Sequence, residues 1–357
     1  MKIYKILVIN PGSTSTKVAV YEGRNSIFLK TIRHSSDQLA RFDGVAAQYE
    51  FRKEVILSEL VQADIEIEHI DAVVGRGGLV RPIESGVYEV TEALKADLRK
   101  AEWGEHASNL GGLIADDIAR SLPEARAFIA DPVVVDEMIE EARITGLPDL
   151  PNRSIFHALN HKAVAKNYAQ AVERPYEELN LIVAHLGGGI SVGAHRKGRI
   201  IDVNNALDGT GPFSPERSGS LPVGALVDLC FSGKYTKQEI RKRINGKGGL
   251  LAHLGTNMAS EVEARSNSGD EHAGLILNAM GFQISKSIGA CAAVLCGQVD
   301  AIIITGGIAH DKKLCEAIKQ RVGFIAPMVV MPGEDEMRAL AENALDVLIG
   351  TVQTKIY

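Results

Sequence analysis

The clearest pattern in the chain is an apolar run that changes into a two-residue alternation. Residues 6–9 read Ile-Leu-Val-Ile, and residues 17–23 read Lys-Val-Ala-Val-Tyr-Glu-Gly. A short apolar run indicates a buried strand, and alternation indicates a strand with one buried face. The pattern therefore predicts a β-hairpin over residues 1–23. Its turn holds Pro, Gly and four consecutive Ser/Thr residues, more hydroxyls than a structural turn needs. Such a turn favours a bound oxyanion, most simply a phosphate.

The same pattern returns in the second half of the chain. An apolar strand over residues 179–186 ends in three glycines, and the alternating segment 190–198 then turns back into Arg-Ile-Ile-Asp-Val. A third apolar run, 301–304, ends near Gly306 and Gly307. Two hairpins of one kind, one in each half, predict a duplicated α/β domain. A dinucleotide-binding fingerprint does not fit, because a strand pattern rather than a helix follows the three glycines.

Helical and strand patterns fill much of the remaining chain. Helices are predicted over residues 92–101, 108–122, 155–172, 271–296 and 332–350, and buried strands over 71–75 and 127–132. Ser108–Asn109 is expected to cap the second of these helices. With 357 residues the chain is expected to form two domains, joined at the Pro- and Gly-rich segment 143–153.

Composition narrows the classes of function. The net charge is −6, and a nucleic-acid binder normally carries a basic surface, so no nucleic-acid partner is expected. No apolar run approaches the roughly 18 residues of a membrane span, so no membrane partner is expected. The mildly basic N-terminus lacks a small-residue cleavage site, which indicates a cytoplasmic protein. The cysteines show no metal-type spacing and are expected to be buried free thiols: Cys230, Cys291, Cys296 and Cys315.

Six short motifs, collinear along nearly the whole chain, resemble those of the acetokinase family. They are INPGSTSTK (9–17), FHALNH (156–161), HLGGGIS (185–191), ERSG (216–219), TGGI (305–308) and PGEDEM (332–337). The resemblance places the chain in the superfamily of acetate and sugar kinases, heat-shock chaperone ATPases and actin. It implies an α/β fold of two duplicated actin-like ATPase (ribonuclease H-like) domains with an interdomain active-site cleft. Domain I is expected at residues 1–150 plus 334–357, and a nucleotide-binding domain II at 151–333.

The resemblance also implies a reaction. Members of the family transfer a phosphoryl group reversibly from ATP to a short carboxylate, giving an acyl phosphate and ADP, with Mg²⁺ as cofactor. The chain departs from acetate kinases at Pro11, at Gly188, in RGGLVRP (76–82) and in LGTN (254–257). These departures favour the branch that phosphorylates butanoate or a branched short-chain fatty acid. Acetate or propionate as acceptor, and an actin-like nucleotide switch without carboxylate kinase activity, are the alternatives. The family expectation is a homodimer or higher homo-oligomer.

The resemblance of the motifs implies which residues of this chain correspond to the family's site residues. The catalytic residues are expected to be Arg76, Asp131, His157 and Arg217, with Arg81 as a rival of Arg76. The residues expected to bind nucleotide and phosphates are Asn10, Ser13, Ser15, Lys17, His185, Gly187, Gly188, Gly189, Asp208, Gly209, Gly306 and Gly307. Mg²⁺ is expected at Asn10 and at Asp335 or Glu336, since it needs few protein carboxylates when phosphates and waters complete its shell.

Each implied role suits the residue type. Arginine matches a carboxylate or phosphoryl group because its planar fork meets two oxygens at once. His157 is expected to hydrogen-bond the transferred phosphoryl group rather than to become phosphorylated. His161, one helical turn later, is expected to be structural, and His185 is expected to be either a phosphate ligand or structural. Gly77–Gly78 is expected to leave room for a longer acyl chain.

Overall fold

The computed structural model describes residues 2–357. Its strands are β1 (Lys5–Pro11), β2 (Ser15–Glu22), β3 (Asn25–Arg33), β4 (Ala72–Arg76), β5 (Val87–Glu89), β6 (Arg126–Ala130), β7 (Asn180–Leu186), β8 (Ile190–Arg196), β9 (Arg199–Val203), β10 (Ala301–Gly306) and β11 (Met328–Pro332). Its α-helices are α1 (Ser36–Leu39), α2 (Tyr49–Gln62), α3 (Glu92–Lys100), α4 (Asn109–Arg120), α5 (Glu140–Arg143), α6 (Ala158–Ala171), α7 (Val223–Phe231), α8 (Lys237–Ile244), α9 (Gly249–Leu254), α10 (Ala259–Asn267), α11 (Glu271–Val294), α12 (Lys312–Val322) and α13 (Glu336–Leu348). Short 3-10 helices lie at Ala46–Gln48, Ile67–His69, Tyr176–Glu178 and Gly307–His310.

The chain divides into two compact units. The first contains the chain up to Val135 together with Asp335–Tyr357, and the second is Asp136–Glu334. Helix α13 belongs to the first unit because it packs on β1, β4 and β6 and buries an apolar face there. Within residues 2–357, no helix combines the length and the apolar character that crossing a bilayer requires.

The first boundary lies earlier than the expected division at 150/151. The segment after Val135 is held by β9: the N–H of Ile139 donates to the carbonyl of Ile201 at 3.0 Å, and Glu137 accepts a backbone N–H of the same strand. The Pro- and Gly-rich segment 143–153 therefore lies inside the second unit and does not connect the two.

Six strands form the sheet of the first unit, in the order β3-β2-β1-β4-β6-β5. Strands β1, β2 and β3 run antiparallel in succession, whereas β4 and β6 continue the sheet parallel to β1. Ile9 of β1 lies opposite Val18 of β2 and Gly75 of β4. Because β1 is central and covered on both faces, its residues 6–9 are all buried, which explains the continuous apolar run.

The second unit repeats this topology in the order β11-β10-β7-β8-β9. Strands β7, β8 and β9 are antiparallel, β10 is parallel to β7, and β11 is parallel to β10. The order β9-β8-β7-β10-β11 therefore matches β3-β2-β1-β4-β6 of the first unit. The match confirms the duplication predicted from the two hairpins. Strand β8 also confirms that a strand follows the three glycines.

Helix α4 packs against β4 at unusually close range. A Cβ on Gly75 would overlap the carbonyl of Gly111, and a Cβ on Gly111 would overlap the carbonyl of Arg76. Glycine at both positions allows this direct backbone approach. The contact fixes the end of β4, where Arg76 leaves the sheet.

Several local predictions were wrong. Ser108 stands at the N-cap of α4 but its side chain makes no capping hydrogen bond; its hydroxyl bonds a neighbouring histidine, and Asn109 Oδ1 accepts the N–H of Leu79 at 2.8 Å. Cys230 and Cys296 are exposed thiols. The reason for Cys230 is that α7 has no buried residue.

Candidate active site

The turn between β1 and β2 lies at the carboxyl end of β1, where open α/β sheets bind ligands. Asn10 is 5% exposed and lies opposite Lys17 in the strand register. The turn closes through a 2.7 Å hydrogen bond from the Gly12 N–H to the Ser15 carbonyl. Ser13 and Lys17 are exposed, and Ser15 is half-buried. Hydroxyl groups and one ammonium group thus lie in and beside a tight backbone turn, a combination suited to phosphate.

A buried arginine supports this turn from beneath, and sequence analysis missed it. Arg52 of α2 is 0% exposed. Its Nη1 donates to the carbonyls of Gly12 at 2.8 Å and Ser15 at 3.1 Å, and its Nη2 donates to the carbonyl of Ser13 at 3.2 Å. Oε1 of Gln48 accepts two further N–H groups. These acceptors are all uncharged, and burial lowers the pKa of Arg52. A positive charge thus lies directly under the hydroxyl turn.

The sequence did contain a signal for Arg52. Positions 52, 56 and 60 lie four residues apart and share one face of a helix. Ile56 and Leu60 are both buried. An arginine in such an apolar stripe must be hydrogen-bonded inside the protein. Its position therefore marks a buried charge with a structural or functional task.

Arg76 and Glu336 form an ion pair where β4 ends and α13 begins. Nη1 and Nη2 of Arg76 lie 3.0 Å from Oε2 and Oε1 of Glu336, a bidentate arrangement. Nδ2 of Asn10 donates to the same Oε2 at 2.7 Å. The rival guanidinium of Arg81 lies 4.1 Å from the ring centroid of Tyr357 instead. Arg76, rather than Arg81, is therefore the arginine that shares Glu336 with the hairpin residue Asn10.

The neighbouring acid Asp335 has a different task. It is the N-cap of α13, and its Oδ1 accepts the backbone N–H of Arg338 at 3.0 Å. The Glu336 side chain is 14% exposed and points to Asn10 and Arg76. In this geometry Glu336 is the acid that lies beside the hairpin.

Asp131 directly follows β6 in a left-handed backbone conformation, with φ +39°. It is 3% exposed. Its Oδ1 accepts hydrogen bonds from Ser85 Oγ at 2.6 Å and from the Gly86 N–H at 2.8 Å. Its Oδ2 is buried and has no hydrogen-bond partner among the described residues. Leaving a buried acceptor unpaired is costly, so this oxygen is suited to a water or a cation.

The oxygen donors of the first unit fit Mg²⁺. This ion takes oxygen ligands in an octahedron and usually keeps several waters. Glu336 offers a carboxylate, Asn10 an amide oxygen, and Asp131 an unpaired carboxylate oxygen. Across residues 2–357, no three His, Cys, Asp or Glu side chains cluster as a metal site. Protein ligands would therefore be few, and nucleotide phosphates and waters would complete the octahedron.

In the second unit, the glycine turn after β7 lies against Arg217. A Cβ on Gly189 would overlap Nη1 of Arg217, so only glycine leaves room for the guanidinium. Nη1 donates to the Ala206 carbonyl at 2.6 Å, whereas Nε is buried without a hydrogen-bond partner among the described residues. Burial lowers the pKa of Arg217, but a guanidinium stays charged in proteins. A partly unsatisfied buried cation favours an anionic ligand.

The other glycines of this turn keep the backbone accessible. The Gly187 N–H closes the turn on the Gly189 carbonyl at 3.1 Å. Gly188 is exposed, a Cβ there would meet nothing within 4 Å, and its carbonyl accepts Ser214 Oγ at 2.7 Å. The backbone at Gly188 is thus held from one side and open on the other.

The remaining predicted nucleotide residues lie in two further turns. Gly306 has φ +90°, and a Cβ there would overlap the carbonyl of Leu186, so packing alone requires this glycine. Gly307 begins a 3-10 helix and has open space around it. Asp208 is exposed, and Gly209 has φ +79° in a loop held by the side chains of Asn205 and Thr210. The contacts within this loop indicate no role for Asp208 or Gly209 beyond the shape of the loop.

Two histidine rings stack in the second unit. The centroids of His157 and His185 are 3.8 Å apart, with ring planes 10° apart. His157 is the N-cap of α6, and its Nδ1 lies 2.9 Å from Ser191 Oγ. Nδ1 of His185 lies 2.8 Å from Asn160 Oδ1, and its Nε2 lies 3.1 Å from Glu334 Oε1 but off the direction that a hydrogen bond needs. His185 is buried, whereas His157 is half-exposed.

His161 is buried and hydrogen-bonded, as predicted for a structural histidine. Its Nε2 lies 2.9 Å from the same Ser191 Oγ, and its Nδ1 lies 3.2 Å from Nε2 of His195. Burial lowers the pKa of both His161 and His195 well below the usual value, so both rings are neutral. Sequence analysis gave no role to Ser191, although it ends the motif HLGGGIS, and it missed His195, which lies in no pattern that distinguishes it from packing.

Comparison with solved structures defines the fold. The fold matches the crystal structure of Porphyromonas gingivalis acetate kinase with a TM-score of 0.80 at 22% identity, covering 97% of this chain and 100% of that chain. A propionate kinase from Francisella tularensis matches with a TM-score of 0.75 at 19% identity, covering 96% and 99%. The two duplicated units therefore have the actin-like ATPase fold, which confirms the predicted fold class.

Comparison of sequences gives the family. The model of the acetokinase family matches residues 150–354. Among curated proteins, butyrate kinase 2 of Clostridium acetobutylicum is 57% identical over 354 residues, covering 99% of each chain. Butyrate kinase 1 of the same organism is 54% identical over 355 residues, covering 99% of this chain and all of that protein. The chain belongs to the acetokinase family.

Proposed function

We propose that this protein transfers the γ-phosphoryl group of ATP reversibly to butanoate or a branched short-chain fatty acid, giving an acyl phosphate and ADP. The observation that carries the proposal is the 57% and 54% identity, over nearly the full length, to two butyrate kinases. The chemistry needs positioning and charge neutralisation around the phosphoryl group. The two units supply cations, backbone turns and imidazoles suited to both tasks.

Arg217 and Arg76 neutralise charge in this proposal. The buried Nε of Arg217 lacks a partner within the described chain, so an oxygen of the transferred phosphoryl group or of the carboxylate would satisfy it. Such a preorganised donor stabilises charge that develops in the transition state. Arg76 is held by Glu336, which keeps its guanidinium in one orientation before substrate binds. Arg76 would hold the substrate carboxylate or the phosphoryl oxygens.

His157 donates a hydrogen bond to the phosphoryl group in this proposal and forms no covalent bond. Phosphoryl transfer passes through a loose transition state with charge on the equatorial oxygens, and one imidazole N–H can stabilise it. The stacked ring of His185 restrains His157 on one face. We propose that His185 acts through this contact.

The hairpin turn and Glu336 serve phosphates and Mg²⁺ in this proposal. Backbone and hydroxyl groups at Ser13 and Ser15, with the ammonium of Lys17, would bind phosphate oxygens. Glu336 and Asn10 would hold Mg²⁺ directly or through water, and Asp131 would hold a metal-bound water, since these donors are all oxygens. When bound, Mg²⁺ supplies neutralisation of the phosphate charge.

The glycine turns of the second unit bind the nucleotide in this proposal. The backbone at Gly187, Gly188 and Gly189 would approach the phosphates, because the turn is open at Gly188. Gly306 and Gly307 would flank the nucleoside, and Asp208 with Gly209 would contact ribose. A cytoplasmic location, a homo-oligomeric state and an active-site cleft stay predictions.

Trapping the product with hydroxylamine tests the proposal. The protein receives ATP, Mg²⁺ and each acid from acetate to valerate, with isobutyrate, and hydroxamate is measured. We expect the hydroxamate yield to peak at four or five carbons. One methylene in an apolar pocket changes binding by about 1–3 kcal/mol, so weaker activity on neighbouring acids is expected.

Two other outcomes would contradict parts of the proposal. A peak at acetate or propionate would keep the mechanism and overturn the acid. ADP release without any carboxylate, and no hydroxamate with any acid, would indicate a nucleotide switch and refute the kinase.

A further inference from the structure

A continuous chain of buried polar side chains leads from His157 into the core of the second unit. Ser191 Oγ lies 2.9 Å from Nδ1 of His157 and 2.9 Å from Nε2 of His161. Nδ1 of His161 lies 3.2 Å from Nε2 of His195. Nδ1 of His195 lies 2.7 Å from the hydroxyl of Tyr176. Four hydrogen bonds thus join a half-exposed imidazole to a phenol that is 6% exposed.

The local structure is built to hold this chain. His157 and His161 lie one turn apart on α6 and so share a face. Ser191 and His195 lie four residues apart on β8 and so point to the same side of the sheet. Between them, a Cβ on Gly193 would lie 3.4 Å from the ring of His161, an ordinary contact distance, so this ring packs directly on the strand.

The hydrogen atoms of the chain can be counted. His161 and His195 are neutral, because burial lowers the pKa of both. The ammonium of Lys162, which lies 5.5 Å from the ring centroid of Tyr176, disfavours further positive charge at both rings. A neutral imidazole carries one N–H and one acceptor nitrogen. Each ring therefore donates on one side and accepts on the other, and the chain has only two possible directions.

Ser191 transmits that direction to His157. A hydroxyl has one hydrogen, so Ser191 donates to one of its two imidazole neighbours and accepts from the other. If the N–H of His161 faces Ser191, the Ser191 hydrogen goes to Nδ1 of His157. The single hydrogen of a neutral His157 then lies on Nε2. The opposite direction would place it on Nδ1 and leave Nε2 as an acceptor.

The phenol of Tyr176 selects between the two directions. A phenol is a better acid than a neutral imidazole N–H, and an imidazole nitrogen is a better acceptor than a phenol oxygen. Tyr176 therefore donates to Nδ1 of His195, and Nε2–H of His195 donates to Nδ1 of His161. In the same direction, Nε2–H of His161 donates to Ser191 Oγ, and the Ser191 hydroxyl donates to Nδ1 of His157.

We propose that Tyr176, His195, His161 and Ser191 are positioning residues that fix neutral His157 as its Nε2–H tautomer, which can donate a hydrogen bond to a phosphoryl oxygen. Only the hydrogen bond from His157 to a phosphoryl oxygen rests on the proposed function. The tautomer of His157 follows from the row of hydrogen bonds between Tyr176 and Ser191 alone. An Nε2 acceptor would repel phosphoryl oxygens, so the direction of the chain decides whether His157 helps or hinders transfer.

The test is nitrogen NMR of the full chain labelled with ¹⁵N-histidine, at a pH where His157 is neutral. Long-range proton–nitrogen spectra distinguish a protonated from an unprotonated ring nitrogen, and the spectrum of His157→Gln assigns the His157 signals. We expect Nε2–H in the unmodified protein. In Tyr176→Phe we expect a mixture of tautomers, because the group that selects the direction is gone.

Kinetics accompany the spectra. With Tyr176→Phe we expect kcat for acyl phosphate formation to fall about 3- to 10-fold, the effect of weakening one hydrogen bond, with KM for ATP and acid unchanged. Tyr168→Phe is the matched control: Tyr168 lies on α6, packs against the same core and is only partly buried. It should change neither the spectrum nor kcat. Ser191→Ala is the second variant. It should give the same tautomer mixture, because it removes the hydroxyl that hydrogen-bonds both His161 and His157.

The outcomes separate the inference from the proposed function. Nδ1–H in the unmodified protein would overturn the inference, as would an unchanged His157 spectrum in both Tyr176→Phe and Ser191→Ala. Absence of carboxylate kinase activity in the unmodified protein would refute the function, while the spectra would still decide the tautomer. A loss of kcat with an unchanged spectrum would show that Tyr176 acts in another way and would refute the positioning role.

Discussion

The guanidinium of Arg217 lies against the backbone of Gly189, in the space that a side chain at position 189 would fill. The two residues are far apart in sequence, and each belongs to a separate motif. Their contact explains why a glycine stands at the third position of the turn after β7. It also offers a way to move Arg217 without removing it.

Gly189→Ala should displace Arg217 and leave the fold intact. The added methyl would overlap Nη1, a terminal atom of a flexible side chain, so the guanidinium must shift. We expect kcat for acyl phosphate formation to fall about 100-fold, the typical cost of losing one transition-state donor. Gly289→Ala on α11 is the control, because a Cβ there meets nothing within 4 Å. Unchanged kcat in Gly189→Ala, with thermal unfolding like that of the control, would argue against a catalytic Arg217.

Glu336→Gln and Asp335→Ala should have different effects. Glu336 contacts Asn10 and Arg76, so the amide should raise the Mg²⁺ concentration for half-maximal activity about tenfold or more. Asp335 caps α13, so its loss should lower the free energy of unfolding by about 1 kcal/mol and leave the Mg²⁺ requirement unchanged. Mg²⁺ titrations of activity and urea unfolding measure the two effects. A shifted Mg²⁺ requirement in Asp335→Ala alone would reverse the assignment.

Arg52→Met should loosen the hairpin turn. The substitution leaves the carbonyls of Gly12, Ser13 and Ser15 without their buried donor and removes a positive charge beneath them. We expect the free energy of unfolding to fall by about 1–3 kcal/mol, because the Gly12 and Ser13 carbonyls lose their donor, whereas the Ser15 carbonyl keeps the Gly12 N–H. We also expect a weaker affinity for ATP, measured by calorimetry. Arg41→Met, at an exposed position in the same unit, should change neither quantity. An unaltered ATP affinity in Arg52→Met would limit Arg52 to a structural role.

The free energy of unfolding should decrease at acid pH because of His34. This residue is 6% exposed, its Nε2 lies 2.9 Å from Thr16 Oγ1, and burial, assisted by the charge of Arg52, lowers its pKa to about 4. The unfolded chain binds a proton at about pH 6.5, before the folded protein does. Stability is therefore full above pH 6.5 and is lost as the pH falls toward 4, by about 3 kcal/mol.

His34→Gln isolates that contribution. Urea unfolding between pH 7 and 4 should show a smaller acid loss in His34→Gln than in the unmodified protein. His69→Gln, whose side chain is 67% exposed, should keep the full loss. Equal pH dependence in all three proteins would contradict the assignment to His34.

The sequence by itself determined the two hairpins, the buried strands β4, β6 and β10, and five of the thirteen α-helices of residues 2–357. Each of these follows from a local pattern: β1, for example, is central, buried on both faces and reads as an apolar run. Strand β8 is buried from Ile190 to His195, so its alternation did not mark an exposed face. The helix predicted over 271–296 appears as α11, Glu271–Val294. The motifs also located both glycine turns and the hydroxyl turn, because these features are contiguous in the chain.

Only the tertiary structure decided which side chains meet. Arg76 rather than Arg81 joins Glu336, a residue 260 positions away, and Asp335 turns to its own helix end. Arg52 and the chain from Ser191 to Tyr176 are also invisible to local pattern, since a buried polar residue reads like any other until its partner is known. The physical reason is that hydrogen bonds between distant elements depend on packing and register, whereas periodicity records only which face of each element is buried.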